Sequence, residues 1–104
     1  MVVIINGRVV ASRAVLEKHC VVIEEGKINQ VTPTSQVIWA EDAQVIDADG
    51  AYVAPGFIDM HAHGALGRDT MEASVEALAQ ITKFHASGGT TAMTPTTATH
   101  SGEK

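Results

Sequence analysis

A change of pattern at Pro55-Gly56 constrains the fold more than any other feature of this 104-residue sequence. After it, "FIDMHAH" reads as a strand, "SVEALAQITKFHASGG" has apolar residues at helical spacing, and "TTAMT" is a β-prone run before Pro95. A strand, a helix and a second strand in succession are typical of a βαβ unit. The pattern therefore predicts two parallel strands joined by a right-handed crossover.

The helix within this unit has predicted ends. Ser74 can accept the hydrogen bonds of the first free amides as the N-cap, and Glu76 lies in the first turn, where the helix dipole favours an acidic residue. Gly88 or Gly89 provides the C-terminal stop.

The first half of the chain, residues 1–54, consists of short β-branched runs separated by turn signals. Asn6-Gly7 lies between apolar runs, where Asn-Gly is a strong hairpin signal, and Glu25-Gly26 and Asp49-Gly50 mark further turns. This pattern predicts a small β unit of antiparallel strands.

One parallel βαβ unit cannot close a sheet, because both of its edges stay unpaired and parallel sheets are normally covered on both faces. A (β/α)8 barrel typically takes about 250 residues. We therefore expect residues 55–104 to begin a larger parallel α/β unit, within an α/β protein longer than this chain. The alternative is a small α+β domain that is complete in itself.

Composition excludes several classes of partner. The net charge is −5 with no block of basic residues, so nucleic acid is not an expected partner. No stretch approaches the roughly 18 apolar residues of a membrane span, and the N-terminus lacks the basic lead of a secretory signal. Cys20 is the only cysteine, so no intrachain disulfide can form. These features together indicate a cytoplasmic protein.

Two histidines close the first strand after the break. Because side chains alternate along a strand, His61 and His63 share one face with Asp59, while Met60 and Ala62 lie on the other. Imidazoles at i and i+2 can reach one divalent cation, and Asp59 could orient one of them from behind. The other interpretation is a pair of ordinary polar residues where a buried strand reaches the surface.

Three further residues are candidates for a substrate pocket. Gly64 allows a close backbone approach, and Thr96 and Thr97 follow the second strand at its carboxyl end, where α/β folds bind ligands. Asp69 and Glu72 lie in the intervening loop, and they are better explained as acidic residues near a helix N-terminus.

The segment "APGFIDMHAHG" resembles the first barrel strand of the amidohydrolase superfamily, which has a Pro-Gly-Phe/Leu-Ile/Val-Asp-x-His-x-His pattern. Within it, the chain is most similar to the N-acetylglucosamine-6-phosphate deacetylase family, through His63-Gly64, Asp69, Met71 and "GGTTAMTPTTAT". Dihydroorotase-like members usually have leucine after the second histidine, a position that Gly64 occupies here.

This resemblance implies a (β/α)8 barrel preceded by part of a small β-sandwich, with His61 and His63 at metal-ligand positions. It also implies one or two divalent ions, zinc or iron, hydrolysis of a linear amide in an amino-sugar phosphate, and a homodimer of the full-length enzyme. The family's general base and remaining ligands match positions beyond Lys104, so we expect the 104-residue chain alone to be inactive. The alternatives are another amidohydrolase, acting as a cyclic amidase or a deaminase, and a non-catalytic barrel relative used for binding or assembly.

Overall fold

The computed structural model describes residues 1–102, and the chain divides into two units between Pro55 and Gly56. Seven strands form the first unit: β1 (Val2–Ile5), β2 (Arg8–Val10), β3 (Val15–Leu16), β4 (His19–Glu24), β5 (Lys27–Pro33), β6 (Gln44–Asp47) and β7 (Tyr52–Val53). They make two sheets, one of order β5-β4-β1-β6 and one of order β3-β2-β7.

The prediction of a purely antiparallel unit is wrong. β1 pairs with β6 in parallel, and β2 pairs with β7 in parallel, while β1/β4, β4/β5 and β2/β3 are antiparallel. The expected turn at Glu25-Gly26 does form a β4–β5 hairpin, in which both residues have positive φ (50° and 73°). This geometry matches the right-handed twist of the flanking strands.

Asn6-Gly7 does not form the predicted hairpin, because β1 and β2 lie in different sheets. The segment instead runs beside the chain between β6 and β7: the Gly50 amide donates to the Asn6 carbonyl (2.7 Å) and the Arg8 amide to the Ala51 carbonyl (2.9 Å). Gly7 is buried, and a Cβ there would overlap the Val53 side chain. The glycine is thus needed for packing between neighbouring segments.

The core of the first unit is a small cluster in the four-stranded sheet. Val3, Cys20 and Val22 are essentially inaccessible to solvent, and Val37 and Trp39 pack against them from partly buried positions. Cys20 is a free thiol that packs as a small apolar residue within this cluster.

The second unit has four strands and one α-helix in its described part. They are β8 (Phe57–Ala62), β9 (Gly64–Ala65), β10 (Arg68–Asp69), α1 (Val75–Ser87) and β11 (Thr90–Pro95), with a 3-10 turn at Thr70–Glu72 before α1. β8 and β11 pair in parallel, and α1 lies between them in sequence. β9 and β10 form a short antiparallel hairpin directly after β8.

The predicted caps of α1 are confirmed. Ser74 Oγ accepts a hydrogen bond from the Ala77 amide (3.1 Å), and Glu76 lies in the first turn. Gly88 is the C-cap, followed by Gly89 with φ of 100°. Ala77 and Ile81 are fully buried and anchor the inner face of the helix. Between residues 1 and 102, no helix is long and apolar enough to cross a membrane.

Candidate metal centre

The end of β8 is irregular just where the histidines lie. Asp59 pairs with Met93 and Ala62 pairs with Pro95, so β8 advances three residues while β11 advances two. This shift is a β-bulge, a feature that is common beside active sites because it changes the direction of side chains. Asp59 supports it: its Oδ1 accepts a hydrogen bond from the backbone amide of His61 (3.0 Å).

The two imidazoles converge. Nε2 of His61 lies 3.0 Å from Nε2 of His63, with ring centroids 4.9 Å apart and the rings inclined at 73°. Both side chains are exposed. A cation about 2.0–2.1 Å from each nitrogen, the usual zinc–histidine distance, would subtend an angle of about 95° between them. That value lies between the ideal octahedral and tetrahedral angles, so the pair fits one shared divalent ion.

The orientation of His63 has a defined partner. Its Nδ1 lies 3.2 Å from the backbone carbonyl oxygen of Thr96. A carbonyl oxygen can only accept a hydrogen bond, so this contact requires a proton on Nδ1. The neutral ring then presents the lone pair of Nε2 toward His61, which is the form that binds a metal.

The predicted contact of Asp59 differs from the observed one. The sequence suggested that its carboxylate orients a ligand imidazole, but the structure pairs Oδ1 with the backbone amide of His61 instead. This contact lies within the irregular segment between Asp59 and Ala62. Asp59 therefore holds the backbone that carries His61.

The three predicted pocket residues have different surroundings. Gly64 does make a close backbone approach, but to its own hairpin, since a Cβ there would overlap the carbonyl group of Arg68. Thr96 is half-buried and contacts both Ala62 and His63 through hydrogen bonds. Thr97 is exposed.

Contacts through backbone atoms also hold the loop after His63. The amide of Thr70 donates to the carbonyl of His63 (2.8 Å), and Nε2 of His85 lies 3.3 Å from the carbonyl of Gly64. Sequence analysis did not predict a role for Thr70. Thr70 makes this contact through its main-chain amide, so no side-chain pattern in the sequence indicates it.

Asp69 and Glu72 form a capping box around the 3-10 turn. Asp69 accepts from the Met71 amide, and Glu72 accepts from the Asp69 amide, each at 2.8 Å. Arg68 also binds Glu72, with Nη2 at 3.1 Å from Oε1. Asp69 and Glu72 are therefore acidic residues at a helix N-terminus, as predicted, although the helix that they cap is the 3-10 turn and not α1.

The capping box has a pH dependence that can be measured. Hydrogen bonds from Arg68 and from the Asp69 amide lower the pKa of Glu72 below its ordinary value of 4.5. A carboxyl group whose pKa is lower in the folded state than in the unfolded state stabilises the fold at pH values above its unfolded-state pKa. This contribution to stability is lost as the pH falls through the lowered, folded-state pKa. We expect protection of the Asp69 amide from hydrogen exchange to fall on acidification below pH 4.5. A Glu72→Gln variant should show a weaker pH response, and an equal response in both proteins would contradict the assignment.

Within residues 1–102, no three histidine, cysteine or acidic side chains gather closely enough to hold a metal. In this described part of the chain, His61 and His63 form a convergent pair of candidate ligands. Both imidazoles are exposed and lie at the carboxyl end of the parallel β8/β11 pair, which is the end of the strands where α/β folds bind ligands.

Comparison with family models identifies the class. The amidohydrolase family model matches residues 44–101, and the NagA composite domain model matches residues 1–53. The chain therefore belongs to the amidohydrolase family. The resemblance to N-acetylglucosamine-6-phosphate deacetylase is also confirmed.

The individual relatives include a deacetylase and a dihydroorotase. The chain is 39% identical over 85 residues to N-acetylglucosamine-6-phosphate deacetylase of Lysinibacillus sphaericus, covering 82% of this chain and 21% of that protein. It is 46% identical over 63 residues to dihydroorotase of Streptococcus thermophilus, covering 61% of this chain and 14% of that protein. The chain thus spans about a fifth of the length of the first curated relative and about a seventh of the second.

Two solved structures are also similar to this chain. N-acetylglucosamine-6-phosphate deacetylase from Pasteurella multocida superposes with a TM-score of 0.84 and 28% identity, over 97% of this chain and 26% of that one. L-hydantoinase from Arthrobacter aurescens superposes with a TM-score of 0.50 and 31% identity, over 60% of this chain and 13% of that one. The deacetylase match extends over both units of the chain, which supports the α/β class of the fold.

Proposed function

We propose that this chain is the N-terminal segment of a metal-dependent deacetylase that converts N-acetylglucosamine 6-phosphate to glucosamine 6-phosphate and acetate. Residues 1–54 contribute to a β-sandwich, and residues 55–104 begin a (β/α)8 barrel. Matches to deacetylases of two organisms, one in sequence and one in structure, support this proposal. The observation that carries it is the 3.0 Å approach of the His61 and His63 Nε2 atoms at the carboxyl end of β8.

His61 and His63 would hold a divalent ion, zinc or iron, in a site with one or two metals. When bound, such an ion lowers the pKa of water and polarises the amide carbonyl. The chain's own residues orient the ligands: Asp59 fixes the backbone at His61, and the Thr96 carbonyl holds the Nδ1 proton of His63. The general base and the remaining ligands come from outside this chain.

The proposed substrate class rests on the deacetylase relatives. The proposed partner is thus a small amino-sugar phosphate, and the full-length protein is a cytoplasmic homodimer. The net charge of −5 and the lack of a basic block argue against nucleic acid as a further partner.

A substrate panel tests the proposal. The complete gene product, with its metal content measured, is assayed with N-acetylglucosamine 6-phosphate, dihydroorotate and a 5-substituted hydantoin. We expect release of acetate from the sugar phosphate, with kcat/KM at least a hundredfold above that for either cyclic amide. The 104-residue chain alone should give no turnover, because it lacks a complete ligand set.

The second candidate is a cyclic amide hydrolase. The 46% identity to a dihydroorotase and the superposition on a hydantoinase favour it, although both matches cover about three-fifths of the chain. Both functions use the same histidine pair and differ in the bond that is cleaved. Preferential opening of dihydroorotate or the hydantoin would overturn the deacetylase proposal, and inactivity on all three substrates with a full metal complement would leave a non-catalytic relative.

A further inference from the structure

We propose that Thr96 is a positioning residue of the metal site, which selects the ring tautomer and the direction of His63. This inference rests on the proposed function, because it gives Thr96 a role only if His63 binds a metal. The expectation that Thr96 lines a substrate pocket stays a separate prediction.

Thr96 connects the ends of the two parallel strands. Its amide donates to the Ala62 carbonyl (2.8 Å), and its Oγ1 accepts from the Ala62 amide (3.1 Å). Ala62 is the last residue of β8 and is 7% exposed, so its amide depends on a protein partner. Both bonds bind Thr96 to the residue that lies between the two histidines.

This two-bond contact determines where the Thr96 carbonyl lies. The carbonyl oxygen is 3.2 Å from Nδ1 of His63, and as an acceptor it requires the Nδ1–H tautomer. Nε2 of His63 is then unprotonated and lies 3.0 Å from Nε2 of His61. A backbone carbonyl behind a ligand histidine is a common way to orient the ring and raise its basicity.

The hydroxyl is the part of Thr96 that a mutation can remove. Besides accepting from Ala62, Oγ1 donates to the Thr94 carbonyl (3.2 Å), so the group uses both its donor and an acceptor position. Valine has the same shape and keeps the backbone carbonyl, but it cannot make either bond. Serine keeps the hydroxyl and loses one methyl group.

The test compares Thr96→Val with Thr96→Ser in the complete gene product. Thr99→Val serves as a matched control, since the Thr99 side chain is exposed and makes no hydrogen bond among residues 1–102.

Zinc affinity is measured by competition with a chelator, and the tautomer of His63 is measured in the metal-free protein by long-range ¹H–¹⁵N NMR. We expect Thr96→Val to weaken zinc binding by about 10- to 100-fold and to lower the Nδ1–H population of His63. Thr96→Ser and Thr99→Val should bind zinc like the wild type.

Two results would overturn the inference: wild-type zinc affinity in Thr96→Val, or an unchanged His63 tautomer with affinity lost equally in Thr96→Ser. Failure of the proposed metal site is distinguishable from both. In that case replacement of His61 and His63 themselves leaves zinc binding intact, whatever Thr96 does.

Discussion

Replacement of both His61 and His63 by alanine should remove at least one equivalent of bound metal and lower kcat/KM for the sugar phosphate about a thousandfold. A metal ion contributes several kcal/mol to stabilisation of the transition state, and each 1.36 kcal/mol corresponds to about tenfold in rate. The two nitrogens are 3.0 Å apart, a distance that fits one shared ion, so we expect the single variants to lose nearly as much as the double variant. Metal content by elemental mass spectrometry and steady-state acetate release measure both effects.

His100→Ala is the matched control for this experiment. His100 is exposed, and its hydrogen bonds are to the adjacent Ser101, so its loss should change neither metal content nor turnover. Full metal content and full activity in the double histidine variant would refute the assignment of the pair. Loss of one metal equivalent with unchanged turnover would keep the binding site and show that the catalytic ion is held by other residues.

The side-chain pattern alone predicts the central feature of the site. Alternation along "FIDMHAH" predicts that His61 and His63 share a face, and the caps of α1 follow from Ser74, Glu76 and Gly88. These predictions depend on neighbours within a few residues along the chain. Local rules therefore suffice for them.

The β-bulge in β8 could not be predicted in this way. It arises because β8 and β11, more than 30 residues apart in sequence, pair with different residue counts between Asp59 and Ala62. The same limit applies to Asn6-Gly7. The Asn6 carbonyl accepts a hydrogen bond from the Gly50 amide, and the adjacent Arg8 amide donates to the Ala51 carbonyl, so these bonds do not close a hairpin. A local turn signal identifies a bend, but the partner of that bend is set by distant segments.

Roles that use the backbone were also beyond sequence reasoning. The Thr96 carbonyl and the Thr70 amide contact His63; every residue has a backbone carbonyl, and every residue except proline has a backbone amide hydrogen. Only the Thr96 hydroxyl, through its bond to Ala62, adds a dependence on residue type. The sequence thus shows only a threonine at a strand end, whereas the role that we propose for Thr96 depends on contacts that the structure reveals.

Gly64→Ala should destabilise the protein by about 2–3 kcal/mol, within the range for mutations that force a backbone clash. An alanine Cβ would overlap the carbonyl group of Arg68, which belongs to the facing strand of the β9–β10 hairpin. Relief of the overlap must move this hairpin, and the Thr70 amide that binds the His63 carbonyl moves with it. The variant should thus lose zinc affinity as well as stability.

Gly88→Ala is the control, because the φ of Gly88 is −92° and an added Cβ would meet the His85 carbonyl at an ordinary 3.5 Å. Chemical denaturation should separate the two variants by at least about 1.5 kcal/mol, and equal stability of both would show that the hairpin adjusts to a side chain at residue 64.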